Sequence, residues 1–134
     1  MSARTGKQYV EGLRDDRVVW LGNQKVDVAT HPAFAGSVAG MAGYFDWQNQ
    51  HADECLVPDP QTGKPMSASL IVPRNADDLR RRRIAFERFA HYSEGMLGRT
   101  PDYVNVTLAG FVARSDIFTS KGDTGFAERL GRFY

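Results

Sequence analysis

A chain of 134 residues, 42% hydrophobic and 25% charged, is long enough for one domain with its own core and has the composition of a soluble globular protein. A formal net charge of +1 gives no general pull toward nucleic acid or an anionic membrane surface. Cys55 is the single cysteine, which excludes a disulfide within the chain and is compatible with a reducing, cytoplasmic setting.

From the start, Thr5 is placed to cap a short helix running to about Arg14, with Tyr9, Val10 and Leu13 on one side. Residues 1–6 lack the apolar stretch of a secretory signal, and no window approaches the roughly 20 apolar residues of a membrane span. Val18–Leu21 and Lys25–Val28 read as two strands joined around Gly22-Asn23. Pro32 opens a second helix whose Phe34, Val38, Met41, Ala42, Phe45 and Trp47 recur at three and four. Gly36, Gly40 and Gly43 weaken that helix and suit close contact with a neighbour. The stretch from Asn49 to Pro60 is polar and broken; Glu54–Val57 and Met66–Val72 are expected to pair across the turn-rich Pro58–Gly63, with Pro73 closing the second strand. Asn75 caps a long helix to about Leu97, buried through Leu79, Phe86, Phe89, Ala90, Met96 and Leu97, and Gly98 ends it. A further helix is expected from Pro101 to about Phe118, and a last one around Phe126, Leu130 and Phe133-Tyr134. The whole reads as mainly α with two small β-hairpins, and no alternation of strands with crossover helices points to a parallel sheet.

The densest chemistry lies in Gly98-Arg99-Thr100-Pro101-Asp102-Tyr103-Val104-Asn105. Thr100 suits an N-cap, Pro101 the first helical position, and Asp102 the positive end of the dipole. The helix behind it, through Ala113, is apolar nearly all round, so it is expected to be enclosed by other elements. Arg99 precedes a helix N-terminus, and with the free N–H groups of the first turn it favours an anion. Tyr103 follows four residues later. A guanidinium and a phenol hydroxyl there suit a carboxylate, phosphate or phenolate oxygen; the alternative is that Arg99 pairs with a structural carboxylate and Tyr103 is core.

Elsewhere the signals are weak. His31, His51 and His91 have no partner at metal-ligand spacing, and no nucleotide-cradling or nucleophile-elbow motif is present. Arg80–Arg83 is a basic run offset by Asp77, Asp78 and Glu87, which fits a solvated or inter-subunit face. Cys55 has no basic neighbour in sequence and reads as a buried or inert thiol; Trp20 and Trp47 read as packing residues.

Arg4–Tyr9, Thr30–Phe34, Ile71–Pro73 and Gly98–Asn105, in this order and spacing, resemble the 4-hydroxyphenylacetate 3-monooxygenase family, with pyoverdine-chromophore and chlorophenol hydroxylases similar. The resemblance implies an acyl-CoA-dehydrogenase-like fold, of which residues 1–134 would be the N-terminal helical domain without the middle β-domain and C-terminal helical domain. It implies a two-component monooxygenase in which a separate flavin reductase supplies FADH2 (FAD as cofactor) and a flavin C4a-hydroperoxide hydroxylates a phenol beside its OH. The family's substrate-side and catalytic Arg and Tyr fall on Arg99 and Tyr103. Its catalytic His lies beyond residue 134, the flavin-binding segments are absent, and the isolated chain is expected to be inactive. A homo-oligomer, usually a tetramer, a phenolic substrate and no metal, nucleic-acid or membrane partner are the further expectations. A related 4-hydroxybutyryl-CoA dehydratase holds an iron–sulfur cluster through cysteines in this motif, where this chain has Arg99 and Tyr103. A non-catalytic helical interaction module is the alternative from a different class.

Overall fold

The computed structural model describes residues 3–96, 101–118 and 125–134. Thr5 caps helix α1, Gly6–Glu11, in a reciprocal box with Gln8: the Thr5 hydroxyl accepts from Gln8 N–H, and the Gln8 side chain accepts from Thr5 N–H. The helix stops at Gly12 rather than running to Arg14. Strands β1, Val19–Leu21, and β2, Gln24–Val26, pair antiparallel about Gly22-Asn23, with Gly22 at φ 59°. That two-residue loop with a positive φ is what a hairpin of this twist requires. Trp20 on β1 is 62% exposed and is not the packing residue expected of it.

A 3-10 turn, Pro32–Phe34, leads into α2, Ala35–Gln50. Its buried stripe is Val38, Tyr44, Phe45 and Gln48. Of its glycines, Gly43 would set a Cβ against the Tyr92 hydroxyl, which itself donates to Gly40 O at 2.9 Å, whereas a Cβ at Gly36 or Gly40 would meet open space. The polar stretch after it is more ordered than its composition suggests. Ala52–Cys55 forms the short helix α3, so Glu54 and Cys55 are helical and not strand. Strand β3, Leu56–Pro58, then pairs antiparallel with β4, Pro65–Ser67. The second strand ends at Ser67 because the Ser67 hydroxyl accepts from Ser69 N–H and starts a 3-10 turn, Ala68–Leu70.

Asn75 caps α4, Ala76–Ser93, by accepting from Asp77 and Asp78 N–H at 2.9 Å each. The helix ends earlier than expected, at Glu94 (φ 50°) and Gly95 (φ 76°), whose N–H returns to Ala90 O. Its buried face is Arg82, Ala85 and Phe89. Leu79, Ala90 and Met96 are exposed, which corrects the expected face by part of a turn; Leu97 and Gly98 lie outside the described residues. Helix α5 is Pro101–Ala113, followed by a 3-10 turn, Ser115–Phe118, and then by α6, Gly125–Phe133.

The core forms where α2, β3, β4, the Ala68–Leu70 turn and α4 meet. Tyr44, Phe45, Cys55, Met66, Leu70 and Phe89 are buried there. Burial of a side chain such as Phe45, Leu70 or Phe89 stabilises by about 1.5–3 kcal/mol. Tyr44 is the hub: its ring stands 4.9 Å from Phe89 and 5.3 Å, edge-on, from Phe45. Arg88 of α4 clamps Glu54 of α3 with two nitrogens, one at 2.7 Å, and Trp47 Nε1 donates to Arg88 O at 3.1 Å.

Candidate functional site

Helix α5 presents two faces. At 100° per residue, Asp102, Asn105, Ala109 and Val112 share one, and Tyr103, Thr107, Gly110 and Phe111 the other. The first faces the body: Ala109 is fully buried, and Asp102, Asn105 and Val112 are half-buried. The second faces out, with Tyr103 64% exposed and Phe111 44%. Within the described residues only the inner face of this helix finds neighbours, so the expected enclosure is met on one side in this chain.

Tyr103 stands in the first turn, and its carbonyl accepts from the Thr107 hydroxyl at 3.0 Å. Among the described residues its phenol is exposed rather than packed. Arg99 lies outside the described residues, as do Gly98 and Thr100.

What holds this turn is polar. Asn105 Nδ2 donates to Ser69 Oγ at 2.9 Å, and the fully buried Ser69 shares a 2.8 Å hydrogen bond with Ser67 Oγ. Asp102 lies on the same inner face, half-buried, with Oδ1 enclosed and unpaired. Burial pushes its carboxyl above the ordinary carboxylate range, against the pull of its own N–H and that of Tyr103. Sequence reasoning gave Asp102 to the helix dipole alone and passed over Tyr44, Asn105 and Ser69. Tyr44 could have been found from its spacing, three after Met41 and four before Gln48.

The remaining chemistry-bearing residues are occupied structurally. Burial pushes the Cys55 thiol up to about 12, so it is inert at neutral pH. The Arg88 guanidinium beside Glu54 holds that carboxyl below its usual value. His31 Nδ1 accepts from Ala33 N–H, and the His51 ring contacts Trp47. Among the described residues no three His, Cys, Asp or Glu side chains gather as a metal site. One groove of about 730 Å³ runs beside the β1–β2 hairpin and another of about 440 Å³ along α4; Tyr103 lines neither.

Comparison with known proteins decides what this arrangement belongs to. The family described as 4-hydroxyphenylacetate 3-hydroxylase N terminal matches residues 5–134. The chain belongs to this family. A 4-hydroxyphenylacetate 3-monooxygenase oxygenase component from a Geobacillus species is 38% identical over 136 residues, covering 100% of this chain and 27% of the relative. An FADH2-dependent monooxygenase from Burkholderia cepacia is 34% identical over 118 residues, covering 86% of this chain and 23% of its own length. A crystal structure of the oxygenase component of 4-hydroxyphenylacetate 3-monooxygenase, complexed with FAD and 4-hydroxyphenylacetate, superposes with a TM-score of 0.86 at 34% identity. It covers 98% of this chain, which spans 27% of that one. The mainly helical fold with small hairpins is thus the fold of the N-terminal part of that oxygenase. The chain spans about a quarter of the length of these relatives.

Proposed function

We propose that residues 1–134 are the N-terminal helical domain of a two-component, reduced-flavin-dependent phenol hydroxylase, and that Arg99 and Tyr103 bind the substrate phenol. The observation that carries this reading is the family match over residues 5–134, together with the free, outward-facing Tyr103 at the head of α5. A phenol is attacked more readily at its ortho carbon when its oxygen carries negative charge. A guanidinium, a phenol hydroxyl and the free N–H groups of a helix start would each stabilise that oxygen.

The residues at hand fit the phenol rather than the flavin. Tyr103 offers a donor free of any described side-chain partner, whereas no residue of this chain is assigned to the isoalloxazine. Reduced FAD with oxygen supplies the oxidising chemistry, and a separate reductase supplies the reduced flavin. The segments completing the site would come from the part of the family's length beyond this chain. The exposed Val104, Phe111, Ile117, Phe118 and Phe133 support such packing, because large apolar side chains grouped at a surface favour a partner. In the intact protein a homo-oligomer, the tetramer usual in this family, completes the reading. A 4-hydroxybutyryl-CoA dehydratase is disfavoured, since Arg99 and Tyr103 stand where that enzyme needs cysteines.

The test is turnover of 4-hydroxyphenylacetate by the intact protein with a flavin reductase and NADH. Catechol product is expected. Arg99→Ala and Tyr103→Phe should each lower kcat/KM for the phenol by about 10–100-fold, the worth of one hydrogen bond to a charged group, with reduced-flavin affinity little changed. Equal loss of phenol and flavin binding would overturn the assignment of these two residues. The isolated 134-residue chain should give no product.

A further inference from the structure

A second stripe runs along α4 beside the one that meets the core. Leu79, Arg82, Arg83, Phe86, Glu87 and Ala90 line the groove of about 440 Å³, and their spacing of three and four sets them on one side of the helix. Leu79 is 56% exposed and Phe86 half-buried, so an apolar surface is left open there. Into this surface the helix sets a charge. Arg82 is buried, with its Nε enclosed and bonded to nothing. The Phe86 ring, 5.9 Å from the guanidinium, offers an aromatic face but no counter-charge. The one carboxylate of the groove, on Glu87, is held by Arg83 Nε at 2.9 Å. Two guanidiniums therefore share one carboxylate, and the unmatched charge is the buried one. An enclosed charge is costly unless it is paired. The occupant that fits is an apolar segment carrying an Asp or Glu, whose two oxygens match the guanidinium fork.

We propose that the groove along α4 seats an acidic, otherwise apolar segment from beyond residue 134 of the same polypeptide, and that a carboxylate of this segment pairs with Arg82. Length and position together point to that source. The chain spans 27% of the Geobacillus relative, so most of the family's length lies outside it. The Tyr134 hydroxyl donates to Leu70 O, and the Ala68–Leu70 turn packs on α4. Tyr134 and Phe86 also lean on the same core cluster. Residue 134 is thus tied to the turn that rests on α4, and the segment that follows it in the family's length starts beside the groove. The source of the occupant rests on the reading of residues 1–134 as the first domain of a longer hydroxylase. The need for a carboxylate stands on the groove itself.

The experiment places the photoreactive residue benzoylphenylalanine at position 79 of the intact protein, on the rim of the groove, and maps the cross-linked peptide by mass spectrometry. The expected product joins position 79 to a peptide from beyond residue 134 that contains an Asp or Glu. Mixing isotope-labelled with unlabelled subunits separates a link within one polypeptide from a link between two. A link to a second copy, a peptide without an acidic residue, or no product at all overturns the inference. Melting of Arg82→Met in the intact protein is the second measurement. Its melting temperature is expected to fall, with Arg82→Lys falling less. Neutralising the mapped carboxylate in the Arg82→Met background is expected to lower it no further. A rise for Arg82→Met shows a guanidinium still without a partner and overturns the pair, as do losses that simply sum. A wild-type protein that does not hydroxylate phenols defeats the functional reading alone, because the cross-link does not depend on turnover.

Discussion

Arg82 is a positive charge in a poor place. It is 9% exposed, its Nε is enclosed without a hydrogen-bond partner, and burial lowers its pKa from the ordinary guanidinium value. Its neighbours in the basic run are differently placed: Arg80 pairs with Asp77, and Arg83 Nε donates to Glu87 at 2.9 Å. Among the described residues no carboxylate is left for Arg82, whose guanidinium lies 5.9 Å from the centre of the Phe86 ring. A buried charge without a partner destabilises, and an apolar side chain of similar length relieves that cost. Arg82→Met should therefore raise the stability of this chain by about 1–3 kcal/mol, measured by urea unfolding; a loss of stability would mean that the guanidinium has a carboxylate to hold. The run of four arginines was legible in the sequence, and so was its offset by nearby acids. That the third of the four turns inward was not, because the stripe of α4 is set by Ala85 and Phe89, and Arg82 shares their side of the helix. Asp102 carries the same lesson. Its place in the first turn was evident, whereas its enclosure was not, because that depends on the Ala68–Leu70 turn against which α5 packs.

At the scale of elements, α1 shows how a single hydrogen atom decides a docking. A Cβ on Gly6 would lie 2.4 Å from the Ala42 carbonyl oxygen and 2.9 Å from its carbon, both backbone atoms of α2. The same residue donates its N–H to Asp46 Oδ1 at 2.8 Å. Gly6→Ala should cost about 1–3 kcal/mol, as overpacking of a fitted contact does, and thermal unfolding of the variant beside wild type measures it. A change under about 0.5 kcal/mol, the range of ordinary surface substitutions, would mean that α1 is loosely held. Helix starts were the most legible feature of the chain, since Thr5 and Asn75 act on N–H groups two or three residues away. Helix ends were less so. Helix α4 stops at Glu94, a non-glycine residue in the left-handed region, before the glycine that sequence pointed to. The extended run expected from Met66 to Val72 failed for a similar local reason, because the Ser67 hydroxyl diverts the backbone into a turn. The outer face of α5 is exposed in this chain, because its burial depends on partners and not on the helix's own composition.

For the molecule as a whole, the fold class, both hairpins and every long helix were legible, because each rests on periodicity or a local signal. The pairing of α2 with α4 through aromatic rings was not, since Tyr44 and Tyr92 carry polar atoms and sit outside a purely apolar stripe. The family was legible in four short segments whose order and spacing matter more than any one of them, and the match over residues 5–134 agrees.

The two tryptophans end in opposite surroundings. Trp20 stands in water on the β1–β2 hairpin, whereas Trp47 is tucked in the α2–α4 seam, its ring 4.1 Å from that of His51. Their fluorescence should accordingly show two populations in an iodide-quenching titration, one red-emitting and open to the quencher, the other bluer and shielded. The shielded component is a built-in optical gauge of whether that seam is closed, read against a background that the exposed indole holds constant.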